Sequence, residues 1–436
     1  MAEVTIIVTT YNIEEYVEQC LASVAAQTLH DIEVLVVDDG SSDSTPERIR
    51  DFCARDSRFV PVLLGENSPG GVATPANVGL DRATSPWVGF VDGDDHIEPT
   101  MFEKLLTAAL THDTDLAMCD YQEETDATGE RLDPADAHRW AQLTEPAYEL
   151  DIPTSQAFLR FIAVPWRKLY RRELLEREGI RFPVSDGFFE DNPFHWFAVV
   201  SARSIAVVPE VLCYHRVARA GQTMATVDER LFHIFHHHDT IHSWLAAHGL
   251  LDLYQVSLLG WVVSQMEWIS RKTPPPLQRR LFEILVKIFA QYSPETIERA
   301  LRENNKGAAA HRLSKAVSKQ EFGTFARALS TRPGSDNPVV TAAFHLRHSG
   351  VRHTARLTGR YVRNTASAHR LTGALTRARS KAPESSGRDV LFGLSVIEQR
   401  LRQMDQRLQH IEEQLAGERP RASAPIDGPP VDAGPR

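Results

Sequence analysis

Asp92, Asp94 and Asp95 stand within four residues of one another and carry the chemistry most open to reading. Gly93 between them allows a tight turn. Hard carboxylate oxygens so placed select Mg²⁺ or Mn²⁺, ions that bridge to phosphate oxygens. A calcium loop of the EF-hand type wants Asp or Asn at its fifth position and Gly at its sixth, where His96 and Ile97 stand. The glycine motifs that cradle phosphate, G-x-x-x-x-G-K-[ST] or G-x-G-x-x-G after a strand, are absent. A bound phosphate would therefore need a cation for much of its charge neutralisation. The bland alternative is a solvated acidic loop. Five histidines, His233, His236, His237, His238 and His242, include pairs that share a helix face. Leu231, Phe232, Ile234 and Phe235 among them read as packing, and no carboxylate or Cys completes a ligand set.

Such residues need elements to hold them. Val4-Thr5-Ile6-Ile7-Val8 is a β-branched run of the kind buried on both faces of a parallel sheet. Asn12 reads as an N-cap with Glu15 as its capping-box partner, ahead of Ile13, Val17, Cys20, Leu21 and Val24 at helical spacing. Val34 to Val37 forms a second strand that stops at Asp38-Asp39-Gly40, and Ser44 or Thr45 with Pro46 opens the next helix. Val60 to Leu64 and Trp87 to Val91 are further strands. Thr100 and Glu103 read as a capping box before a helix from Met101. Repeated strand–helix units predict an α/β domain with a mostly parallel sheet and helices on both faces. Ligands of such sheets lie at the C-terminal strand ends, where both acidic clusters fall. Residues 125–160 read as an insertion or cleft wall. Residues 226–335 read as a helical domain interrupted by Pro274-Pro275-Pro276.

The net charge of −10 hides an asymmetry. Thr341 to Pro383 holds nine Lys and Arg and no acidic residue, so the rest of the chain carries −19. Residues 336–383 thus form a basic amphipathic segment. It either lies on anionic lipid, at the inner face of a membrane, or packs as a solvated helix against the acidic remainder. Nucleic acid is not the expected partner. Val390, Leu394, Ile397, Leu401, Met404, Leu408, Ile411 and Leu415 keep a near-heptad spacing. A coiled coil over 388–417 is expected, making a homo-oligomer through residues 390–415, with an amphipathic helix packed on its own protomer as the alternative. Residues 418–436 read as a disordered tail. Four isolated cysteines, no 18-residue apolar run and no basic, apolar leader predict a cytoplasmic protein.

In order and at suitable spacing, four segments resemble the family 2 glycosyltransferases, which have the GT-A fold. They are Val4 to Asn12, Val36 to Asp43, Asn67 to Gly79, and Phe90-Val91-Asp92-Gly93-Asp94-Asp95. The departure is Ala76, where the family often has Arg. The resemblance implies a GT-A catalytic domain over residues 1–225. It implies a nucleotide-sugar donor bound by Thr10, Tyr11, Asn12, Asp39, Asn77, Asp92, Arg216 and Arg219. Tyr11 would lie against the base, and Asp39 would accept a hydrogen bond from it, favouring uracil. Asp94 and His215 would hold the Mn²⁺ or Mg²⁺. The segment from Trp166 to Leu175 resembles one that precedes the acceptor site in members modifying cell-envelope or capsular polymers, which assigns Trp166 and Lys168 to the acceptor. Glu190-Asp191 resembles their Glu-Asp motif, with Asp191 as general base.

The implied reaction is inverting transfer of a hexose or N-acetylhexosamine from a UDP-sugar to a glycan, lipid-linked or polyol-phosphate acceptor of the cell envelope. Two rivals are weighed against it. A catalytically inactive coiled-coil scaffold would have no use for Asp94 and Asp191. A sugar-1-phosphate nucleotidyltransferase would want a Gly-rich, basic loop after the first strand, where Tyr11-Asn12-Ile13-Glu14-Glu15 stands.

Overall fold

The computed structural model describes residues 2–184, 188–218 and 228–330. Arg219, the basic segment, the coiled coil and the tail lie outside the described residues. Ten strands form one sheet: β1 (Val4–Thr10), β2 (Ile32–Asp38), β3 (Phe59–Leu63), β4 (Trp87–Asp92), β5 (His96–Ile97), β6 (Leu116–Thr125), β7 (Arg131–Leu132), β8 (Ala147–Glu149), β9 (Lys168–Arg171) and β10 (Ser204–Val217). The order is β3-β2-β1-β4-β9-β6-β10-β5, with β7 on β6 and β8 on β10. The long ladders, β1 with β2 and β4, β2 with β3, and β6 with β10, are parallel. Short antiparallel β9 joins β4 to β6. The C-terminal ends of β1, β2, β4, β6 and β10 therefore share one edge.

Every residue of β1 is buried, as its β-branched run requires of a strand covered on both faces. The helices of this region are α1 (Val17–Ala25), α2 (Thr45–Cys53), α3 (Ala73–Arg82), α4 (Met101–Thr111), α5 (Ile152–Phe158), α6 (Arg172–Arg177) and α7 (Asp191–Ser201). Residues 125–160, expected to be irregular, supply β7, β8, a short 3₁₀ turn and α5. Two expected capping boxes do not form. Helix α1 starts at Val17 without a side-chain cap. Asn12 takes a left-handed turn instead, with φ 48°, a region that Asn tolerates better than most residues. Its side-chain oxygen accepts the Ser42 amide at 2.8 Å, tying the β1 and β2 turns together. Helix α4 starts at Met101 as read, but Glu103 takes the hydroxyl of Thr28 and leaves Thr100 without a side-chain cap.

Beyond β10 come α8 (His236–Ala247), α9 (Leu251–Lys272), α10 (Gln278–Phe289), α11 (Pro294–Glu303), α12 (Ala308–Ser318) and α13 (Phe322–Ser330). Helices α9 to α13 close around a second apolar core that includes Met266, Leu285 and Phe325, while Ile241 and Leu245 of α8 pack into the first. No described helix is long and apolar enough to cross a membrane.

Candidate functional site

The acidic turn is built by close backbone approach. Gly93 donates its amide to the Thr9 carbonyl at 2.9 Å, and Asp95 donates to the Asp92 carbonyl at 2.9 Å. A Cβ on Gly93 would stand 2.6 Å from Ile13 Cδ1 and 2.8 Å from the Thr9 oxygen, so only glycine fits. Next to this turn the end of β10 brings His215, whose Nδ1 donates to Asp95 Oδ2 at 2.9 Å. The backbone amide of Arg216 donates to the other oxygen of Asp95 at 2.7 Å.

Asp92, Asp95 and His215 each offer a ligand atom, and these atoms all lie within 4.8 Å of one another. Asp94, expected to hold the metal with His215, is not one of these three. Burial, then Asp95 and Asp94, push the Asp92 carboxyl far above its ordinary range. Burial alone would lower His215, but Asp95, backed by Asp92 and Asp94, raises it to about 10. Negative charge is thus in excess at this turn. Two carboxylates and an imidazole suit Mn²⁺ or Mg²⁺, with the imidazole favouring Mn²⁺, so the residues fit the ion that the sequence implies.

Where β1 and β2 end, Asp38 is used up in holding the fold. It accepts from the Thr10 hydroxyl at 3.0 Å and from the Ser41 hydroxyl at 2.6 Å. Asp39 is buried and accepts from Asn67 Nδ2 at 3.0 Å and from the Ser68 amide at 3.1 Å. Burial raises its carboxyl, and the bonds from Ser68 oppose the rise. Tyr11, one residue past β1, is 47% exposed, a large aromatic residue left open for stacking.

Asp191 opens α7, and aromatic packing fixes that helix. Phe194 stacks on Phe182 at 3.9 Å and meets Phe90 of β4 edge-on at 5.7 Å. Burial raises Asp191 to about 7, against the opposing pull of Lys168 and His215. Burial and then Asp191 raise Glu190 to about 8, while the Val72 and Ala73 amides at the start of α3 oppose this. Glu190 therefore joins the Gly-rich segment to the start of α7. A buried carboxyl that titrates near neutrality can take a proton at working pH.

Other expected site residues are committed within the protein. Asn77 exchanges two hydrogen bonds with the backbone of Phe182, at 2.7 and 2.9 Å. The Arg216 guanidinium donates to the Asp94 carbonyl at 2.9 Å, Gln19 at 2.9 Å and Asp126 at 3.3 Å. Lys168 is buried, donates to the Val164 carbonyl, and is held well below its usual range by that burial. Trp166 stacks on His215 with centroids 5.3 Å apart. The pairing of Asp95 with His215 and the support of Asp39 by Asn67 and Ser68 were not read from the sequence. Both join residues far apart in the chain, so no local pattern announces them.

Residues 5–179 match the family described as Glycosyl transferase family 2. This domain belongs to that family. The uncharacterized glycosyltransferase EpsJ of Bacillus subtilis (strain 168) is 34% identical over 214 residues, which is 49% of this chain and 60% of EpsJ. Poly(ribitol-phosphate) beta-N-acetylglucosaminyltransferase TarS of Staphylococcus aureus (strain Mu50 / ATCC 700699) is 28% identical over 228 residues, 52% of this chain and 37% of TarS. The crystal structure of S. aureus TarS 1-349 in complex with UDP-GlcNAc gives a TM-score of 0.62 at 21% identity, covering 76% of this chain and 91% of that one. That likeness shows a shared fold, and the fold of this glycosyltransferase domain is GT-A-like. Within the family 2 domain, the fourth of the resembling segments is the turn that groups Asp92 and Asp95 with His215.

Proposed function

We propose that this chain is an inverting glycosyltransferase that moves a sugar from a nucleotide-sugar donor, a UDP-hexose or UDP-N-acetylhexosamine, to a glycan or polyol-phosphate acceptor of the cell envelope. The carrying observation is that two kinds of acid stand at one sheet edge. A cation-fitting group, Asp92, Asp95 and His215, lies near Asp191, a half-buried carboxyl raised to about 7. The TarS relative supports the choice of donor and acceptor class, since it is named for transfer of N-acetylglucosamine to poly(ribitol-phosphate) and was solved with UDP-GlcNAc.

In this reading Tyr11 stacks on the base and Asp39 accepts from it, with Asn67 and Ser68 fixing the carboxyl. Asp92 approaches the ribose and, with Asp94, Asp95 and His215, holds a divalent ion. When bound, that ion neutralises charge on the departing diphosphate, typically worth several kcal/mol. Asp191 takes the proton of the acceptor hydroxyl as that oxygen bonds to the anomeric carbon. The bond from this carbon to the diphosphate oxygen breaks, and its electron pair leaves with the nucleotide. Base catalysis of this kind is typically worth ~10²–10⁴-fold. Glu190 keeps the loop before α3 against the base. Trp166 and Lys168 are assigned to the acceptor side, Trp166 stacked on His215 and Lys168 lying near Asp191.

The test is a panel of nucleotide sugars incubated with the purified chain and Mn²⁺, read as release of the nucleoside diphosphate. One UDP-sugar should be hydrolysed slowly without acceptor and faster with a polyol-phosphate or glycan. No release from any of the panel, with or without Mn²⁺, would count against the proposal.

A further inference from the structure

The stretch that leads into Asp191 has backbone a bulky residue rarely adopts. Phe189 has φ 76°. A large side chain in that region costs roughly 1–3 kcal/mol and persists only where its surroundings dictate it. Here those surroundings come from the helical region.

Three contacts hold the stretch from both sides of Glu190-Asp191. On α8, His237 is buried and its Nε2 meets the Phe188 carbonyl at 2.8 Å. A carbonyl only accepts, so the proton sits on Nε2. Burial also keeps His237 below the usual histidine range, hence neutral at working pH. On α9, Trp268 meets the Phe189 ring edge-on, with centroids 6.0 Å apart and planes at 89°. About two turns earlier on α9, the Trp261 indole donates to Asn192 Oδ1 at 3.1 Å. Asn192 then turns its own Nδ2 to the Phe189 carbonyl at 3.0 Å, closing the loop around the acidic pair. Trp261 packs against both apolar cores, so it links the sheet and the helices as well.

We infer that His237, Trp261 and Trp268 are positioning residues for the base, and that the helical region is a working part of the catalytic site. The inference rests on Asp191 being that base. Its physical ground is the cost of misplacement. A reacting group displaced by about 1 Å can lose ~10²-fold in rate. A strained loop released from its clamps is free to relax, and Asp191 would move with it. The three side chains touch the loop's backbone and the flanking Phe189 and Asn192, so their effect should fall on turnover and leave nucleotide binding alone.

The experiment uses the full chain with Trp261→Phe, which keeps a ring and deletes the N–H, His237→Leu, which deletes the donor, and His237→Gln, which retains one. Amide hydrogen exchange over residues 188–194 is measured beside UDP affinity and kcat. Trp261→Phe and His237→Leu should each speed exchange in that segment about tenfold or more, leave it unchanged at the ends of β1 and β4, and lower kcat about 10- to 100-fold. UDP affinity should stay within about twofold, and His237→Gln should recover part of the loss. Unchanged exchange and turnover in the first two variants, with Asp191→Asn inactive, overturn the positioning role alone. A parallel fall in UDP affinity overturns it too, since that is general loosening. Equal turnover by the wild type and Asp191→Asn overturns the base reading on which the inference rests.

Discussion

The ring of Trp166 lies nearly parallel on that of His215, 5.3 Å between centroids and 20° between planes. The imidazole is thus fixed on one face by an indole and at Nδ1 by Asp95, which leaves its orientation little freedom. Groups that orient a metal-binding histidine typically matter 10–100-fold in metal affinity. Trp166→Leu is therefore expected to weaken Mn²⁺ binding by about that factor, as followed by paramagnetic resonance titration, while Trp166→Phe retains most of it. Unchanged Mn²⁺ affinity in Trp166→Leu would remove His215 from the proposed cation site.

Asp191, raised to about 7, must be ionised to accept a proton. Transfer should fall about tenfold for each pH unit below 7 and level off above about 8. Asp191→Asn should lose ~10²–10⁴-fold in turnover at pH 8 while binding UDP within about twofold. A rate profile flat from pH 5.5 to 8.5 would show that another group takes the proton.

Glu190 is raised from its ordinary 4.5 to about 8, so the fold prefers its neutral form. The sign for stability follows: its contribution is fully present below about pH 4.5 and is lost progressively as pH rises from there through about 8. Glu190→Gln, neutral throughout, should melt close to the wild type at about pH 4 and several degrees above it at about pH 8.5. One kcal/mol corresponds to roughly 2–4 °C in a domain of this size. Equal melting differences at the two pH values would contradict the assignment.

Gly93→Ala puts a methyl 2.6 Å from Ile13 Cδ1 and 2.8 Å from the Thr9 carbonyl oxygen. One neighbour is a side chain that can move, but the other is backbone. Overpacking of this kind costs typically ~1–3 kcal/mol, and here the displaced backbone also carries Asp92 and Asp95. Chemical denaturation should show that loss, and Mn²⁺-dependent hydrolysis should drop with it.

Much of the frame could be read from residue order because it is encoded locally. The β-branched runs at Val4–Val8 and Val34–Val37 became β1 and β2, and their polar punctuation marks the edge where the site lies. What could not be read is non-local. Lys168-Leu169-Tyr170-Arg171 has no pattern that says it will lie antiparallel between β4 and β6. Asp95 and His215 are 120 residues apart, and nothing near either one names the other. Asn12 was misread as a cap because Asn serves caps and left-handed turns equally well, and only the β2 turn across from it decides between them. Sequence spacing offers no ligand set around the histidines of α8; His238 is buried against Tyr292, and His237 reaches a loop that spacing could not bring near it.

The central claim is that the Asp92, Asp95 and His215 group serves a nucleotide diphosphate through a divalent ion. Calorimetric titration of UDP into the full chain, in Mn²⁺ and again in excess chelator, tests it most directly. The account predicts binding in Mn²⁺ that weakens about 100-fold or more on chelation, and an Asp95→Ala protein that behaves in Mn²⁺ as the wild type does without it. UDP bound equally well in chelator, or by Asp95→Ala in Mn²⁺ with undiminished affinity, would contradict it.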